Sequence, residues 1–284
     1  MKVSALLRLL RIHNAFMGSL TVIISMLLWT QNLLLISTAI LAYVFLASAG
    51  NVINDIYDLE VDKINRPDRP IPSGRISLNE AKIIYVLLVI LGLIFCAIDS
   101  YLVNNIWPFI MGIIFAYVGF LYSAKLKIMG FIGNVTVGIS FSIGFIYGWT
   151  VCGLPIDWNR LVSNILFFTV ASTLLIAREI IKGIEDVKGD ALRNVRTLAR
   201  TRGIKTASIV ASLFLFLAIG SFTALPFLGI VSVYFIPFMV IGNLAAFLSA
   251  IYILKDPSYA SKASCYAKIG ALFGLFGFLL GVVL

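Results

Sequence analysis

Nine stretches of this chain run for about the thickness of a lipid bilayer with scarcely a charge in them. A membrane-crossing helix needs about 20 mostly apolar residues, because each residue rises about 1.5 Å and the hydrocarbon is about 30 Å thick. Windows of this kind fall near residues 15–30, 34–54, 83–100, 106–123, 131–152, 161–181, 206–225, 230–253 and 268–284, with only Gln31 and Asn32 marking the first turn. Such unbroken runs call for helices, since the strands of a membrane barrel alternate apolar and polar residues over about ten positions. Composition offers no other solvent than lipid: 61% of the residues are hydrophobic and 12% charged, where a soluble domain carries about 25% charged residues. The expected fold class is therefore all-α, a polytopic membrane protein of about nine transmembrane helices. Residues 1–284 are expected to form a single membrane domain bearing two polar loops, 55–82 and 182–205. Arg8 and Arg11 interrupt the early apolar stretch, so the N-terminus does not read as a cleaved signal.

Nine spans put the two termini on opposite sides. All but one of the 22 Lys and Arg residues then fall on the N-terminal side, Arg160 being the exception. Loops rich in Lys and Arg face the cytoplasm, so the N-terminus and both polar loops are expected there, in a multi-pass protein of the cell membrane. Losing a middle helix would scatter this segregation. Of the 13 acidic residues, only Asp99 and Asp157 fall on the other side. The net charge of +9 reads as a topology signal with affinity for anionic headgroups. Membrane lipids are thus expected partners and nucleic acid is not. Cys96, Cys152 and Cys265 are isolated and suit packing. A single histidine, His13, excludes a multi-histidine metal site.

Residues 51–62 read Asn-Val-Ile-Asn-Asp-Ile-Tyr-Asp-Leu-Glu-Val-Asp. Asp55, Asp58 and Asp62 have the spacing i, i+3, i+7, within about 60° of one another on a helix. Three carboxylates on one face repel unless a cation sits among them. Arg or Lys could serve; Mg²⁺ serves better, since it takes oxygen ligands and pairs one or two carboxylates with a substrate phosphate. Asp186 and Asp190, at i, i+4, repeat the feature in the second loop. Either cluster alone could be a solvated face. Two clusters on one side, each continuing a membrane helix, favour a diphosphate held between metal ions. Pro67, Pro70 and Pro72 forbid a regular helix and make a stiff loop presenting Arg66 and Arg69, whose forked guanidinium suits phosphate. Lys125 and Lys127 follow Tyr122, and Arg11 and Asn14 open the first helix. Phosphate-loop, serine-hydrolase and zinc-protease motifs are absent.

These residues resemble a family. Asn54-Asp55-x-x-Asp58-x-x-x-Asp62, with Asn-Arg-Pro-x-Arg-Pro-x-Pro-Ser-Gly at 65–74, looks like the first signature of the UbiA superfamily of intramembrane prenyltransferases. Asp186-x-x-x-Asp190, preceded by Lys182 and followed by Thr197-Leu198-Ala199, resembles the second. Tyr122-Ser123-x-x-Leu126-Lys127 and Arg11-x-x-Asn14 match further family positions. The resemblance implies nine helices around a central cavity capped by the two loops. It implies Mg²⁺ bridging the Asp motifs and a prenyl diphosphate, with the prenyl tail between helices and open to lipid. Asp55, Asp58, Asp62, Asp186 and Asp190 are then the expected metal-binding and catalytic residues. Arg11, Asn14, Asn51, Asn54, Lys63, Arg66, Arg69, Tyr122, Lys125, Lys127 and Lys182 are the expected substrate contacts. Two positions depart from the pattern: Gly183 stands where many members carry an Asp, and His13 where a Pro is common.

Within the family, residues 65–77 look most like archaeal members that join geranylgeranyl diphosphate to the hydroxyl of geranylgeranylglyceryl phosphate, a lipid-phosphate acceptor, in ether-lipid synthesis. Members acting on aromatic, quinone or chlorophyll-type acceptors share much of this segment. An ion-coupled transporter is the expectation from another class. Its carboxylates would sit near the bilayer midplane, whereas no Asp, Glu, Lys or Arg here is clearly mid-span.

Overall fold

The computed structural model describes residues 3–152, 156–187, 195–229 and 231–283, and among these residues the regular structure is entirely helical. In order come α1 (Val3–Leu10), α2 (Ile12–Leu27), α3 (Leu33–Tyr57), α4 (Leu59–Asn65), α5 (Leu78–Leu102), α6 (Trp107–Ala124), α7 (Phe131–Cys152), α8 (Trp158–Glu185), α9 (Leu198–Thr201), α10 (Ile204–Phe227), α11 (Ile236–Lys255) and α12 (Ala260–Val283). Eight of the described helices are long and apolar enough to cross a membrane, or nine if α1 and α2 count as one broken span. With that pair counted as one span, the nine expected spans follow in the expected order. The first is the one that differs. It begins at Val3 and bends by 46° at Arg11, whose backbone is left-handed at φ 47° and ψ 49°.

Local chemistry places the helix starts. Asn32 accepts from the amides of Leu34 and Leu35, and Asp157 from those of Asn159 and Arg160. Ser77 and Glu80 form a capping box at the start of α5. Each device satisfies amide groups that a first helical turn leaves bare.

The helices pack in a closed circuit. The second helix, α2, lies against α3 and α7; α3 against α5 and α6; α7 against α8; and α8 against α10 and α12, which returns to α2. Small residues let these backbones approach, as in membrane bundles generally. A Cβ on Gly144 of α7 would lie 2.9 Å from Val22 Cγ2 and 3.0 Å from the Val22 amide of α2. The α8–α12 side is filled with rings. Phe167 and Phe278 stack at 4.3 Å, and Phe222 meets Phe278 edge-on at 5.2 Å. The open space therefore belongs to the other side, between α2, α3, α6 and α7. The membrane windows of α5 and α6 are only 22% and 17% buried, so these two helices turn most of their apolar surface outward. Exposed Tyr101, Trp107, Trp158 and Phe227 lie at helix ends opposite the Asp-rich loop, the placement of an interfacial aromatic belt.

One acidic residue outside the polar loops is buried. Asp99 is wholly buried within α5 and accepts a hydrogen bond from the Tyr147 hydroxyl at 2.7 Å. It lies in the last turn of α5, at the membrane side opposite the Asp-rich loop, as the charge pattern had it, but packed among helices and not open to solvent.

Candidate active site

The third helix carries Asn51, Asn54 and Asp55 to its polar end and hands the chain to α4 through Asp58. The helix assignment breaks there, at φ −88° and ψ 0°. The backbone ladder nevertheless runs on: the Asp58 amide donates to Asn54 O at 2.9 Å and the Asp62 amide to Asp58 O at 2.8 Å. The i, i+3, i+7 face survives, with Asp55 and Asp62 buried and Asp58 partly open.

Cations arrive from three other segments. The proline-rich loop folds back over α3, anchored by buried Ile71 and Ile76 in a cluster with Ala5, Leu9 and Val52. Gly74, at φ 71°, allows the turn, and the Ile76 amide donates to Pro70 O at 3.1 Å. This brings Arg69 Nη1 within 3.2 Å of Asp55 Oδ1 and into an ion pair with Asp62. Arg11 Nη2 lies 2.5 Å from Asp55 Oδ1. The break that aims Arg11 frees the carbonyl of Leu10, which accepts from Asn51 Nδ2 at 3.0 Å. Lys127, on a 3₁₀ turn at Leu126–Ile128, pairs with Asp58 and stands 3.4 Å from Asn54 Oδ1. That turn is braced by the second loop. The Arg196 amide donates to Ile128 O at 3.2 Å, and a Cβ on Gly130 (φ 63°) would run into the Arg196 carbonyl. Each of the three aspartates thus has a cationic partner, and their mutual repulsion is compensated.

Below this cluster lies a cavity of about 540 Å³, within the size range of small-molecule sites. Its mouth is polar, lined by Arg11, Asn14, Asn51, Asn54, Asp58 and Asp62, with Arg66, Arg69, Tyr122, Lys127 and Lys182 around them. Its depth is apolar, lined by Leu46, Ala47, Val89, Ala116 and Val137, with the rings of Tyr43, Phe115 and Phe141.

Other expected site residues lie elsewhere. Asp55 is behind the wall, turned to Arg11 and Arg69. Lys63 is exposed and pairs with Glu60 at 2.7 Å, one turn away on its own helix. Lys125 is exposed at the end of α6, and Asp186 is exposed at the end of α8; neither lines the cavity. Asp190 lies outside the described residues. Glu179 does line the cavity, paired with Arg178 at 2.7 Å, and the sequence reading passed over it. The signal was available: Glu179, Lys182 and Asp186 share the i, i+3, i+7 spacing of the first cluster. Gly183, one departure from the family pattern, is buried, and a Cβ added there would lie 3.4 Å from the Thr197 side chain.

The donors at the mouth suit Mg²⁺. They are carboxylate and amide oxygens, with no thiolate or imidazole on the lining. Among the described residues, no three acidic, His or Cys side chains stand close enough to hold an ion by themselves. A hard cation here would therefore complete its shell with water and a ligand phosphate, as Mg²⁺ usually does.

Comparison with known proteins agrees with this architecture. Residues 18–280 match the UbiA prenyltransferase family. The chain is 38% identical to the digeranylgeranylglyceryl phosphate synthase of Saccharolobus solfataricus, over 99% of its own length and 98% of the relative's. It is 36% identical to the synthase of that name from Methanobrevibacter smithii, over 96% of each chain. A solved structure concerned with digeranylgeranylglyceryl phosphate synthase in membranes superposes with a TM-score of 0.79 at 30% identity, covering 99% of this chain and 98% of that one. A UbiA homologue from Archaeoglobus fulgidus bound to DMAPP and Mg²⁺ shares the fold, with a TM-score of 0.64 at 17% identity over 98% and 99% of the two chains. An all-helical membrane fold, a charged mouth over an apolar cavity and whole-length similarity converge: this chain belongs to the UbiA prenyltransferase family.

Proposed function

We propose that the protein transfers a geranylgeranyl group from its diphosphate to the hydroxyl of geranylgeranylglyceryl phosphate, forming digeranylgeranylglyceryl phosphate and diphosphate. The carrying observation is a single cavity that joins a mouth of carboxylates and cations to an apolar depth. A prenyl diphosphate has the same division. Whole-length similarity to archaeal synthases of that name supports this acceptor.

The residues divide the work as follows. Asp58 and Asp62, with Asn54, would hold Mg²⁺, and Asp186 and Asp190 of the second loop would be its further carboxylates. Bound Mg²⁺ supplies charge neutralisation of the leaving group. Lys127, Arg69 and Arg11 add fixed positive charge at the same place, a preorganised stabilisation of diphosphate as it departs. The apolar depth keeps water from the allylic carbon. The acceptor oxygen bonds to that carbon while the carbon–oxygen bond to diphosphate breaks, and the hydroxyl proton is released to solvent or diphosphate. No side chain is assigned as general base.

The acceptor's own phosphate needs cations that the aspartates have not taken. Arg11, Arg69 and Lys127 are each paired with one. Arg66 and Lys182 also line the cavity, and neither makes an ion pair among the described residues. We assign these two to the acceptor phosphate.

Charge segregation supports a cell-membrane location with the N-terminus and both motif loops in the cytoplasm. Cysteines placed at positions 70 and 190 of the otherwise intact protein should resist an impermeant thiol reagent on whole cells; labelling from outside would reverse this topology. The reaction is tested on purified protein, offering geranylgeranyl diphosphate with the lipid phosphate, its phosphate-free analogue and an aromatic acid. The lipid phosphate should be turned over fastest. Equal or better turnover of the aromatic acid would overturn the acceptor assignment and leave prenyl transfer standing.

A further inference from the structure

Resting on the prenyl-transfer reading, we infer that the Tyr43–Phe115 ring pair is a chain-length stop, matched to a donor of four isoprene units. The two rings stack with centroids 5.8 Å apart and an interplanar angle of 24°, and both line the apolar depth of the cavity. Tyr43 is held by contacts to three neighbouring helices. Its hydroxyl donates to Phe141 O of α7 at 3.1 Å. Its ring lies over Gly18 of α2, where an added Cβ would come 2.8 Å from Cε1. Stacked on Phe115 as well, the ring cannot swing aside without losing a buried hydrogen bond and its packing.

Behind the pair lies a second void, which shares Tyr43, Leu46 and Phe115 with the main cavity and is otherwise bounded by Ala42, Met111, Gly112 and Ile143, with Tyr147. It measures about 10 Å³, room for about one water-sized probe and far too little for a hydrocarbon chain. The side chains of Tyr43, Leu46 and Phe115 face both spaces. Removing part of this wall would join them.

The distance to this wall selects a chain length. Cavity-lining residues descend α3 from Asp58 through Asn54, Gly50 and Leu46 to Tyr43. Fifteen residues of helix at about 1.5 Å each span about 22 Å. An isoprene unit adds four backbone bonds of about 1.5 Å, roughly 5 Å when extended. With the diphosphate beside Asp58, four units reach the rings, three stop a turn short, and a fifth would collide with them.

The experiment fixes the acceptor and compares C15, C20 and C25 prenyl diphosphates by kcat/KM. The wild type should disfavour C25 relative to C20 by about tenfold or more, the scale on which a closed apolar pocket rejects excess carbon. Phe115→Ala should raise the C25:C20 ratio by about tenfold. Leu46→Ala, which thins the same wall elsewhere, should move it the same way and decides the matter if the first variant does not fold. Tyr43→Phe loses the hydroxyl's hydrogen bond but keeps the ring packed on Phe115 and Gly18, and should raise the ratio less than either wall variant. Selectivity among acceptors of different tail length should not move. Wild-type enzyme that uses C25 as well as C20, an unchanged ratio in both wall variants, or a shift in acceptor selectivity would each overturn the stop. Failure of the wild type to use any donor would instead overturn the prenyl-transfer reading beneath it.

Discussion

Arg69→Ala tests how the acidic cluster is held. The Arg69 guanidinium bridges Asp55 and Asp62, and the three side chains are 17%, 4% and 8% exposed. Removing it leaves Asp55 its bond to Arg11 but leaves Asp62 with no cation among the described residues. Stranding one charge of a buried pair costs about 3–5 kcal/mol. The partial exposure of Arg69 and the retained Arg11 place the expectation at the lower end, about 3 kcal/mol. At roughly 2–4 °C per kcal/mol, the variant should melt about 6–12 °C below the wild type. Unfolding in detergent can be followed by reaction of buried Cys96 with a thiol dye, after Cys265→Ser removes the exposed thiol. Adding Asp62→Asn removes the stranded charge, so the double variant should recover half or more of the loss, a coupling of about 1.5–3 kcal/mol. Millimolar Mg²⁺ should narrow the gap for Arg69→Ala, since a bound cation stabilises the folded state by mass action. A melting point within 1 °C of wild type, or strictly additive effects of the two substitutions, would refute this account.

Three further outcomes are expected. Chelation should stop turnover and added Mg²⁺ restore it, and Asp58→Asn should lower kcat by roughly 10²–10³ with little change in melting point; full activity in excess EDTA would end the metal assignment. Asn51→Leu should cost about 1–3 kcal/mol by orphaning the Leu10 carbonyl and should raise the donor KM, because the Arg11 bend loses its tie; calorimetry and initial rates unchanged together would count against that role. Gly144→Ala should destabilise by about 1–3 kcal/mol through overpacking of α2 on α7, read as a lower melting temperature, and a variant as stable as wild type would show that the two helices separate freely.

The architecture and half the site were legible in the residues alone because their signals are local. A bilayer imposes its thickness on each span in turn, so apolar length and the positions of Lys and Arg were enough to order the helices. The spacing of Asp55, Asp58 and Asp62 was likewise a property of one helix, and it persists even across the break at Asp58. Glu179 carried the same local signal and was simply passed over. Tertiary structure decided which cation meets which carboxylate. Arg11, Arg69 and Lys127 come from segments 44, 14 and 69 residues from their aspartates, and nothing in their spacing distinguishes them from Lys63 or Lys125, which turn outward. It also decided the left-handed Arg11, a conformation arginine does not favour by itself and which here rests on Asn51 from another helix. The apolar depth of the cavity belongs to the same class. Tyr43 and Phe115 are ordinary apolar-span residues in sequence, and only the packing of α2, α3, α6 and α7 makes them a wall, because volume left unfilled is a property of several helices at once and of none singly.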